Sequence, residues 1–423
     1  MKFVLAFNGS RGDVQPAIAL GCELAGRGHD IVLAVPPNLT EFAAAAGLRV
    51  HGYGLDTGEL LRSEVVSRDL RSANPVTRLH AVSEITLRGG RTMQQDLLDL
   101  TTDADAIIGG SAGQERAFNV ALVRGIPYIP VHLCPIRRNG EVSLLTQFGI
   151  DRPRALARIS WTILEQILWR ATRSAEKTLA AEVGLTAVDA PVATRIGRQG
   201  VPEIQAYDAA LFPGLAVEWG KRRPLVGFFD LAPQTRELMA DGHSEDRLMD
   251  WLDAGPPPLY VGFGSMTVAD PDGLVRAIAS ATEVLGLRVL LATGWGGLTY
   301  DGPDDRVLAV PTVDHHAVLP RCVGAVHHGG AGSTAASLRA GLPTLIYWLG
   351  ADQPMWGRQI RRRGAGLGFP LAGIDARGFG SALETLLTPD HTRRAQALSE
   401  QLVTASAAVT AAATLVEHAV RPR

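Results

Sequence analysis

The sequence predicts an α/β protein made of two doubly wound domains. Short apolar runs alternate with helical patterns from the start of the chain, a second alternating series begins near residue 259, and a Pro- and Gly-rich stretch over 213–233 separates the two. Such alternation is typical of parallel sheets that carry helices on both faces. Ligands of these sheets bind at the carboxyl ends of the strands.

The first series begins with a β-α-β pattern, in which a buried run is followed by an amphipathic stretch that ends at Gly28. Beyond residue 151, long amphipathic patterns replace the strands. The predicted strands of this series are 2–7, 30–35, 49–53, 105–109 and 128–133, and the predicted helices are 14–27, 40–46 and 114–124.

The second series has the same alternation and ends in an Ala-rich helix over 392–419 that could pack back across both halves. The predicted domains are 1–214 and 236–423, joined by a linker over 215–235. The predicted strands are 259–263, 288–292, 307–310, 323–326 and 344–348, and the other helices are 273–285, 333–340, 355–363 and 377–387.

Charge and cysteine content exclude several classes of function. With 41 Lys+Arg against 43 Asp+Glu, the net charge of −2 disfavours a nucleic-acid partner. Cys22, Cys134 and Cys322 are far apart, which argues against a disulfide framework or a zinc site. No signal peptide or membrane span is predicted, so we expect a cytoplasmic protein, with contact at the inner face of the membrane left open.

The strongest local signal is a predicted strand that runs through a Gly-rich turn into a helix at residues 323–334. Small residues let backbone amides approach a ligand, and a helix N-terminus attracts anions. His328, Ser333 and Thr334 could add hydrogen bonds, so the turn suits phosphate. The alternative is a plain turn with Ser333 as N-cap. Neither a dinucleotide fingerprint nor a Walker A loop is present, which disfavours a nicotinamide cofactor or ATP.

Three other turns at the ends of predicted strands carry polar side chains. Asp352 and Gln353 could bind vicinal sugar hydroxyls, or Asp352 could simply interact with its helix N-terminus. Asp13 could accept a proton from a hydroxyl and Arg11 could neutralise a diphosphate, although Asp13 could equally be an N-cap. Ser265 ends the first strand of the second series in a Gly-Ser turn that suits phosphate.

Two further patterns have simpler interpretations. The Asp-x-Asp sequences at 103–105 and 270–272 precede a strand and a helix, so a metal role is disfavoured and no metal is expected. The apolar segment 161–169 is interpreted first as core packing, and second as an acceptor wall or a membrane-facing patch.

Four motifs in order and register carry a family resemblance: GSRGDVQP at 9–16, PPPLYVGFGSM at 256–266, HHGGAGST at 327–334 and ADQP at 351–354. Together they resemble the UDP-glycosyltransferase superfamily of inverting enzymes. The actinobacterial branch is most similar, with its glycopeptide-antibiotic, sterol-type and mycobacterial glycolipid glycosyltransferases. The resemblance spans essentially the whole chain and implies a GT-B fold, in which two Rossmann-like domains face a central cleft.

The resemblance also implies site residues. Asp13 matches the general base, although plant and animal relatives have a His in this turn. Asp352 and Gln353 would bind the sugar, and Val313 would flank the nucleobase. Thr312 stands where plant relatives have a Trp, so UDP and dTDP donors both stay open. The implied contacts of the donor diphosphate are Ser10, Arg11, Gly12, Ser265, His328, Gly330, Ala331, Gly332 and Ser333.

The expected function is therefore inverting transfer of a sugar from a nucleoside-diphosphate sugar to a hydroxyl of a glycolipid, glycopeptide or sterol-like acceptor. The nucleotide sugar is a co-substrate, and no cofactor is expected. The oligomeric state is expected to be a monomer or weak dimer. The alternatives are a nucleotide-sugar epimerase of the same fold and a non-catalytic nucleotide-sugar-binding partner protein.

Overall fold

Two six-stranded parallel sheets form the framework, each in its own unit. The computed structural model describes residues 1–62, 75–144, 153–239, 245–264, 268, 270–294, 298–300, 302 and 305–421. The first unit comprises Met1–Ala209, Pro213–Ala240 and Val403–Arg423, and the second comprises Ala210–Phe212 and Asp241–Leu402. This is the predicted class of two doubly wound α/β domains.

In the first unit the strand order is β3-β2-β1-β4-β5-β6. The order reverses beside β1, so the loops after β1 and β4 meet at the switch point where such sheets bind ligands. The strands are β1 (Lys2–Ala6), β2 (Asp30–Val35), β3 (Arg49–Gly52), β4 (Ala106–Gly109), β5 (Tyr128–His132) and β6 (Ile204–Gln205). The helices are α1 (Arg11–Gly26), α2 (Thr40–Ala44), α3 (Thr57–Arg62), α4 (Pro75–Leu100), α5 (Gln114–Arg124), α6 (Arg154–Glu182), α7 (Val192–Gly197), α8 (Pro213–Trp219) and α9 (Pro233–Met239).

In the second unit the order is β12-β11-β10-β7-β8-β9, so the loops after β7 and β10 meet in the same way. The strands are β7 (Leu259–Gly262), β8 (Val289–Ala292), β9 (Val307–Val310), β10 (Gly324–His327), β11 (Thr344–Trp348) and β12 (Gly366–Pro370). The helices are α10 (Glu245–Asp253), α11 (Pro271–Val284), α12 (His315–Val318), α13 (Ala331–Arg339), α14 (Gln353–Arg363), α15 (Ala376–Leu386) and α16 (Pro389–Ser399), and the chain returns to the first unit for α17 (Ala405–Val420).

Alternating side chains of the central strands build a core on each face of a sheet. In β1, Phe3 and Leu5 pack into a cluster that includes residues of α1 and α17, whereas Val4 and Ala6 pack into one that includes residues of α4 and α5. Strand β7 divides in the same way, with Leu259 and Val261 on one side and Tyr260 on the other. Both sheets are thus buried on both faces, which is why their strands are nearly continuous apolar runs.

Several elements differ from their predicted bounds. Strands β6 and β12 were not predicted. The single helix predicted over 392–419 is two helices, because Thr404 caps a new helix by accepting a hydrogen bond from the Ala407 N–H at 3.3 Å. The stretch 215–235, predicted as a linker, lies in the first unit. The reason is backbone pairing beside β6, where the Gln205 N–H donates to the Pro224 carbonyl at 2.9 Å.

Candidate functional site

The turn between β10 and α13 leaves a helix N-terminus without a side-chain cap. Gly330 is the N-cap residue of α13 and has no side chain to offer, and no other side chain of the described residues caps the helix. The first amide groups of α13, at Ala331, Gly332 and Ser333, therefore stay available, and Gly332 is exposed. Uncapped amides at the positive end of a helix dipole are a ready site for an anion.

Gly329 lets this turn pack closely against the turn that follows β11. Its φ of +89° favours glycine, and a Cβ atom at this position would lie 2.6 Å from Ile346 Cγ2. The same Cβ position is 3.4 Å from both the Cβ and the carbonyl oxygen of Gln353. The predicted diphosphate turn and the predicted sugar-binding residues are therefore direct neighbours.

His328 packs between the turns after β7 and β10. A Cβ atom on Gly264 would lie 3.0 Å from His328 Cε1, and one on Gly330 would lie 2.6 Å from His328 Nε2. Burial lowers the pKa of His328 to about 4, although the Gly262 backbone opposes the shift. The free protein at neutral pH thus presents a neutral imidazole, with Nε2 on the side of the uncapped helix.

The adjacent His327 supports the turn from inside the sheet. It is completely buried at the end of β10, and its Nδ1 accepts a hydrogen bond from the Gly329 N–H at 3.0 Å. Burial holds the pKa of His327 well below its usual value. His327 is therefore a neutral residue that fixes the turn from below and does not bind the ligand directly.

Asp352 and Gln353 begin α14 beside this turn. Asp352 is the N-cap residue, and its Oδ2 accepts a hydrogen bond from Trp356 Nε1 at 2.7 Å. Burial raises the pKa of the Asp352 carboxyl, and the Trp356 hydrogen bond opposes that shift. Gln353 uses Oε1 to accept the Leu349 and Gly350 N–H groups at 2.8 and 3.2 Å. The carboxamide oxygen is thus part of the turn.

The backbone before Asp352 is strained. Among the described residues, Ala351 is the one non-glycine residue with positive φ, at 55°. A left-handed alanine costs about 1–2 kcal/mol, and such strain is concentrated at functional sites. It occurs here at the residue immediately before Asp352.

The remaining predicted donor residues of the second unit are Val313 and Ser265. Val313 lies in the loop between β9 and α12, half-buried against the cluster that contains Tyr260. In the same segment His315 is fixed by a contact of 2.9 Å between its Nε2 and the Tyr260 hydroxyl. Ser265 lies outside the described residues.

In the first unit, Asp13 closes a capping box at the start of α1. The helix begins at Arg11 with Ser10 as the N-cap residue, so Asp13 is in the first turn, and its interpretation as an N-cap was wrong. Asp13 Oδ2 accepts hydrogen bonds from the Ser10 N–H at 2.8 Å and from Ser10 Oγ at 3.1 Å. The carboxylate is held in place and is partly exposed.

The other residues of this turn point in different directions. The guanidinium carbon of Arg11 lies 4.6 Å from the centre of the Phe42 ring, in a cation–π contact with α2. Gly12 is exposed on the first turn of α1. Gly9 has a φ of +137° and lies directly under Asp13, because a Cβ atom there would be 2.3 Å from Asp13 Oδ2.

The structure adds two residues that were not singled out from the sequence. Asn8 Nδ2 donates to the Tyr53 carbonyl at 3.1 Å, which joins the turns after β1 and β3. The Tyr53 hydroxyl is buried and has no hydrogen-bond partner in the described chain. Asp96 of α4 accepts the Gly54 N–H at 2.8 Å, and burial raises the pKa of its carboxyl. No motif marks Tyr53 or Asp96.

Both Asp-x-Asp sequences are explained by local structure. Asp103 and Asp105 both contact Lys2. The Lys2 ammonium group forms an ion pair with Asp103, and the Lys2 backbone N–H donates to Asp105 Oδ2 at 2.7 Å. Asp270 caps α11 by accepting the Gly273 N–H at 2.8 Å. Within the described ranges, no group of three or more His, Cys, Asp or Glu side chains has the arrangement of a metal site.

Comparison with known proteins identifies the family of the chain. The Glycosyltransferase family 28 N-terminal domain matches residues 3–104, and the erythromycin biosynthesis protein CIII-like C-terminal domain matches residues 299–418. An uncharacterized glycosyltransferase of Mycobacterium tuberculosis is 39% identical over 422 residues, which cover 100% of this chain and 99% of the relative. A sterol 3-beta-glucosyltransferase of Arabidopsis thaliana is 30% identical over 86% of this chain and 57% of its own length.

Solved structures agree in fold. The calicheamicin glycosyltransferase has a TM-score of 0.71 at 19% identity and covers 99% of this chain and 98% of its own. A glycosyltransferase of Streptomyces sp. SF2575, complexed with thymidine diphosphate, has a TM-score of 0.62 at 20% identity over 99% of both chains. The chain is a GT-B glycosyltransferase and belongs to the family that joins a family 28 N-terminal domain to an erythromycin CIII-like C-terminal domain.

Proposed function

We propose that this glycosyltransferase transfers a sugar from a UDP- or dTDP-linked donor to a hydroxyl group of a lipidic or natural-product acceptor, with inversion at the anomeric carbon. The observation that carries the proposal is the uncapped N-terminus of α13 beside the neutral His328. The thymidine diphosphate complex of the Streptomyces neighbour supports a nucleoside diphosphate as the ligand, and the Arabidopsis relative supports a sterol-like acceptor.

In the proposed donor site, the diphosphate binds at the start of α13. The amides of Ala331, Gly332 and Ser333 donate to its oxygens, and His328 Nε2 contributes from the side. Charge builds up on the diphosphate as the bond to the sugar breaks. Because the amide groups of the helix end are already in position, they stabilise the transition state, in which this charge develops, more than the ground state. The barrier to the reaction is therefore lower. The reaction would then proceed without a metal ion.

The sugar would lie against the start of α14. There the Asp352 carboxylate is fixed by Trp356 and can accept hydrogen bonds from vicinal hydroxyls. Gln353 holds the turn through its Oε1 and stays a proposed contact of the sugar. Val313 would contact the nucleobase, and Ser265, Ser10, Arg11 and Gly12 stay proposed donor contacts.

Asp13 is the proposed general base. As the acceptor oxygen attacks the anomeric carbon, a C–O bond forms, the bond from that carbon to the diphosphate oxygen breaks, and the acceptor proton passes to Asp13. A single displacement from the opposite face inverts the configuration. The hydrogen bonds from Ser10 keep the carboxylate in one position, which limits the cost of ordering it in the transition state.

The test is mass spectrometry of a donor-by-acceptor matrix. UDP- and dTDP-sugars are incubated with glycolipid, glycopeptide and sterol aglycones, and with no acceptor. The proposal expects a product heavier than one of the aglycones by one sugar, with inverted anomeric configuration by NMR. A retained configuration, or conversion of the donor to a new sugar nucleotide without acceptor, would contradict it.

A further inference from the structure

The first half of α6 carries an uncovered apolar face. Trp161 in this half and Leu179 near the end of the helix are buried, and Trp161 Nε1 donates to the Val142 carbonyl at 2.7 Å. On both sides of Trp161 along the chain, large aliphatic side chains are 36% to 54% exposed. They are Leu156, Ile159, Ile163, Leu164, Ile167 and Leu168.

These side chains form one continuous surface. At 100° per residue, Ile159, Ile163 and Ile167 follow one another along the helix at intervals of four, and the leucines lie beside them. The segment 161–169 was interpreted first as core packing. The structure contradicts this for its exposed side chains, whereas Trp161 is buried and Trp169 is half-buried. Within the described residues no element covers this face.

The border of the apolar face is cationic. Arg170 is three residues beyond Ile167 and therefore lies beside it, and Arg173 and Lys177 follow at helical spacing. All three are exposed and form no ion pair with the described part of the chain. Arg154 adds a fourth exposed cation at the start of the helix. The apolar stretch contains a single acidic side chain, that of Glu165.

We propose that α6 docks the protein on the surface of an anionic lipid membrane. A helix of this kind lies in the interface plane, with its aliphatic face among the acyl chains and its Arg and Lys groups at the headgroups. Among the described helices, none is long and apolar enough to cross a bilayer. This inference goes beyond sugar transfer and does not depend on it.

Charge favours a membrane over a second copy of the chain. In a symmetric dimer the same patch meets itself, so the cationic borders of two copies would approach each other. Protein interfaces are also enriched in aromatic residues, whereas the exposed large side chains of this face are all aliphatic. Anionic headgroups complement that border directly.

Vesicle sedimentation tests the proposal. The protein is mixed with vesicles of phosphatidylcholine alone, or of three parts phosphatidylcholine to one part phosphatidylglycerol. We expect binding to the anionic vesicles that weakens with added salt. The double variant Ile163→Ser/Ile167→Ser should lose at least about tenfold in affinity, since both side chains leave the lipid. Its control, Val217→Ser/Val284→Ser, alters two isolated exposed valines that are 87% and 84% exposed, and should bind as the wild type does.

A charge variant provides a second, independent arm. Each basic group near an anionic surface is worth about fivefold in affinity, so Arg170→Gln/Arg173→Gln should weaken binding about thirty-fold. Arg361→Gln/Arg377→Gln removes two exposed arginines elsewhere and should have no effect. Unfolding temperatures check that each variant is folded.

Three results would overturn the proposal. One is no binding of the wild type to either vesicle, and another is equal binding by the α6 variants and their controls. The third is a wild-type dimer, measured by light scattering, that the isoleucine variant converts to a monomer while its vesicle binding is unchanged. That result would assign the face to a second copy of the chain.

Discussion

Replacing Asp13 with Asn separates the two roles that the structure allows this residue. Asp13 caps α1 through the two hydrogen bonds that its Oδ2 accepts from Ser10. An Asn side chain has the same shape and keeps one acceptor oxygen for the Ser10 N–H. The loss is then mainly the charge at the helix N-terminus, worth about 0.3–1 kcal/mol. A general base contributes about 10²- to 10⁴-fold to the rate. We expect the variant to fold and to lose turnover by that factor.

The assay measures kcat with a soluble acceptor, together with the unfolding temperature. Asp375→Asn is the matched control, because Asp375 also places a carboxylate at a helix N-terminus and accepts the Gly378 N–H at 2.7 Å. It should lose about as much stability as Asp13→Asn and keep full turnover. If Asp13→Asn keeps kcat within about twofold of the wild type, Asp13 is a capping residue only, and the assignment of the base is wrong.

Three further predictions concern the donor site. Gly332→Ala should not lower the unfolding temperature, because a Cβ there meets nothing within 4 Å and alanine favours the helix. If the diphosphate binds at the start of α13 as proposed, the added methyl group should weaken donor binding by at least about tenfold. The control Gly26→Ala, also with open space around its Cβ, should leave donor binding unchanged. In calorimetry with a nucleotide sugar, donor affinity should rise up to about thirty-fold as the pH falls from 7.5 to 5. A bound anion raises the pKa of His328 from about 4 toward 6.5, so the gain in affinity is present at low pH and is lost as the pH rises through the pKa of the bound state. His328→Gln should abolish this pH dependence. Trp356→Phe removes the 2.7 Å hydrogen bond to Asp352. It should raise the KM of the nucleotide sugar with little change in the Kd of the free nucleoside diphosphate. An equal rise of KM and Kd would contradict a separate role of Asp352 in sugar binding.

The local signals in the sequence correctly predicted the strand, the Gly-rich turn and the helix that make up the proposed donor turn. A strand, a run of small residues and a helix are consecutive there, so the pattern alone locates the uncapped N-terminus beside His328. The capping box of α1 was also within reach, because Ser10 and Asp13 have the Ser-x-x-Asp spacing. The interpretation failed since it began the helix at Val14, three residues late.

Other features depend on contacts between distant residues and were not predictable. Strand β12 contains two glycines and a proline, which local preference assigns to a loop. It is a strand because Gly366 packs against β11 so closely that a Cβ would lie 1.8 Å from the Thr344 carbonyl oxygen. The support of the turn by His327 and the exposure of the α6 isoleucines likewise follow from tertiary packing, which the periodicity of one helix does not specify.

Calorimetric titration of the wild type and His328→Ala with UDP and dTDP tests the central claim most directly. A hydrogen bond to a charged group is worth about 1.5–3 kcal/mol, so a phosphate contact of His328 predicts about ten- to hundred-fold weaker binding in the variant, at an unfolding temperature close to that of the wild type. The wild type is expected to bind at least one of the two nucleotides through the α13 N-terminus. Equal affinity of both proteins, or no binding of either nucleotide to the wild type, would contradict it.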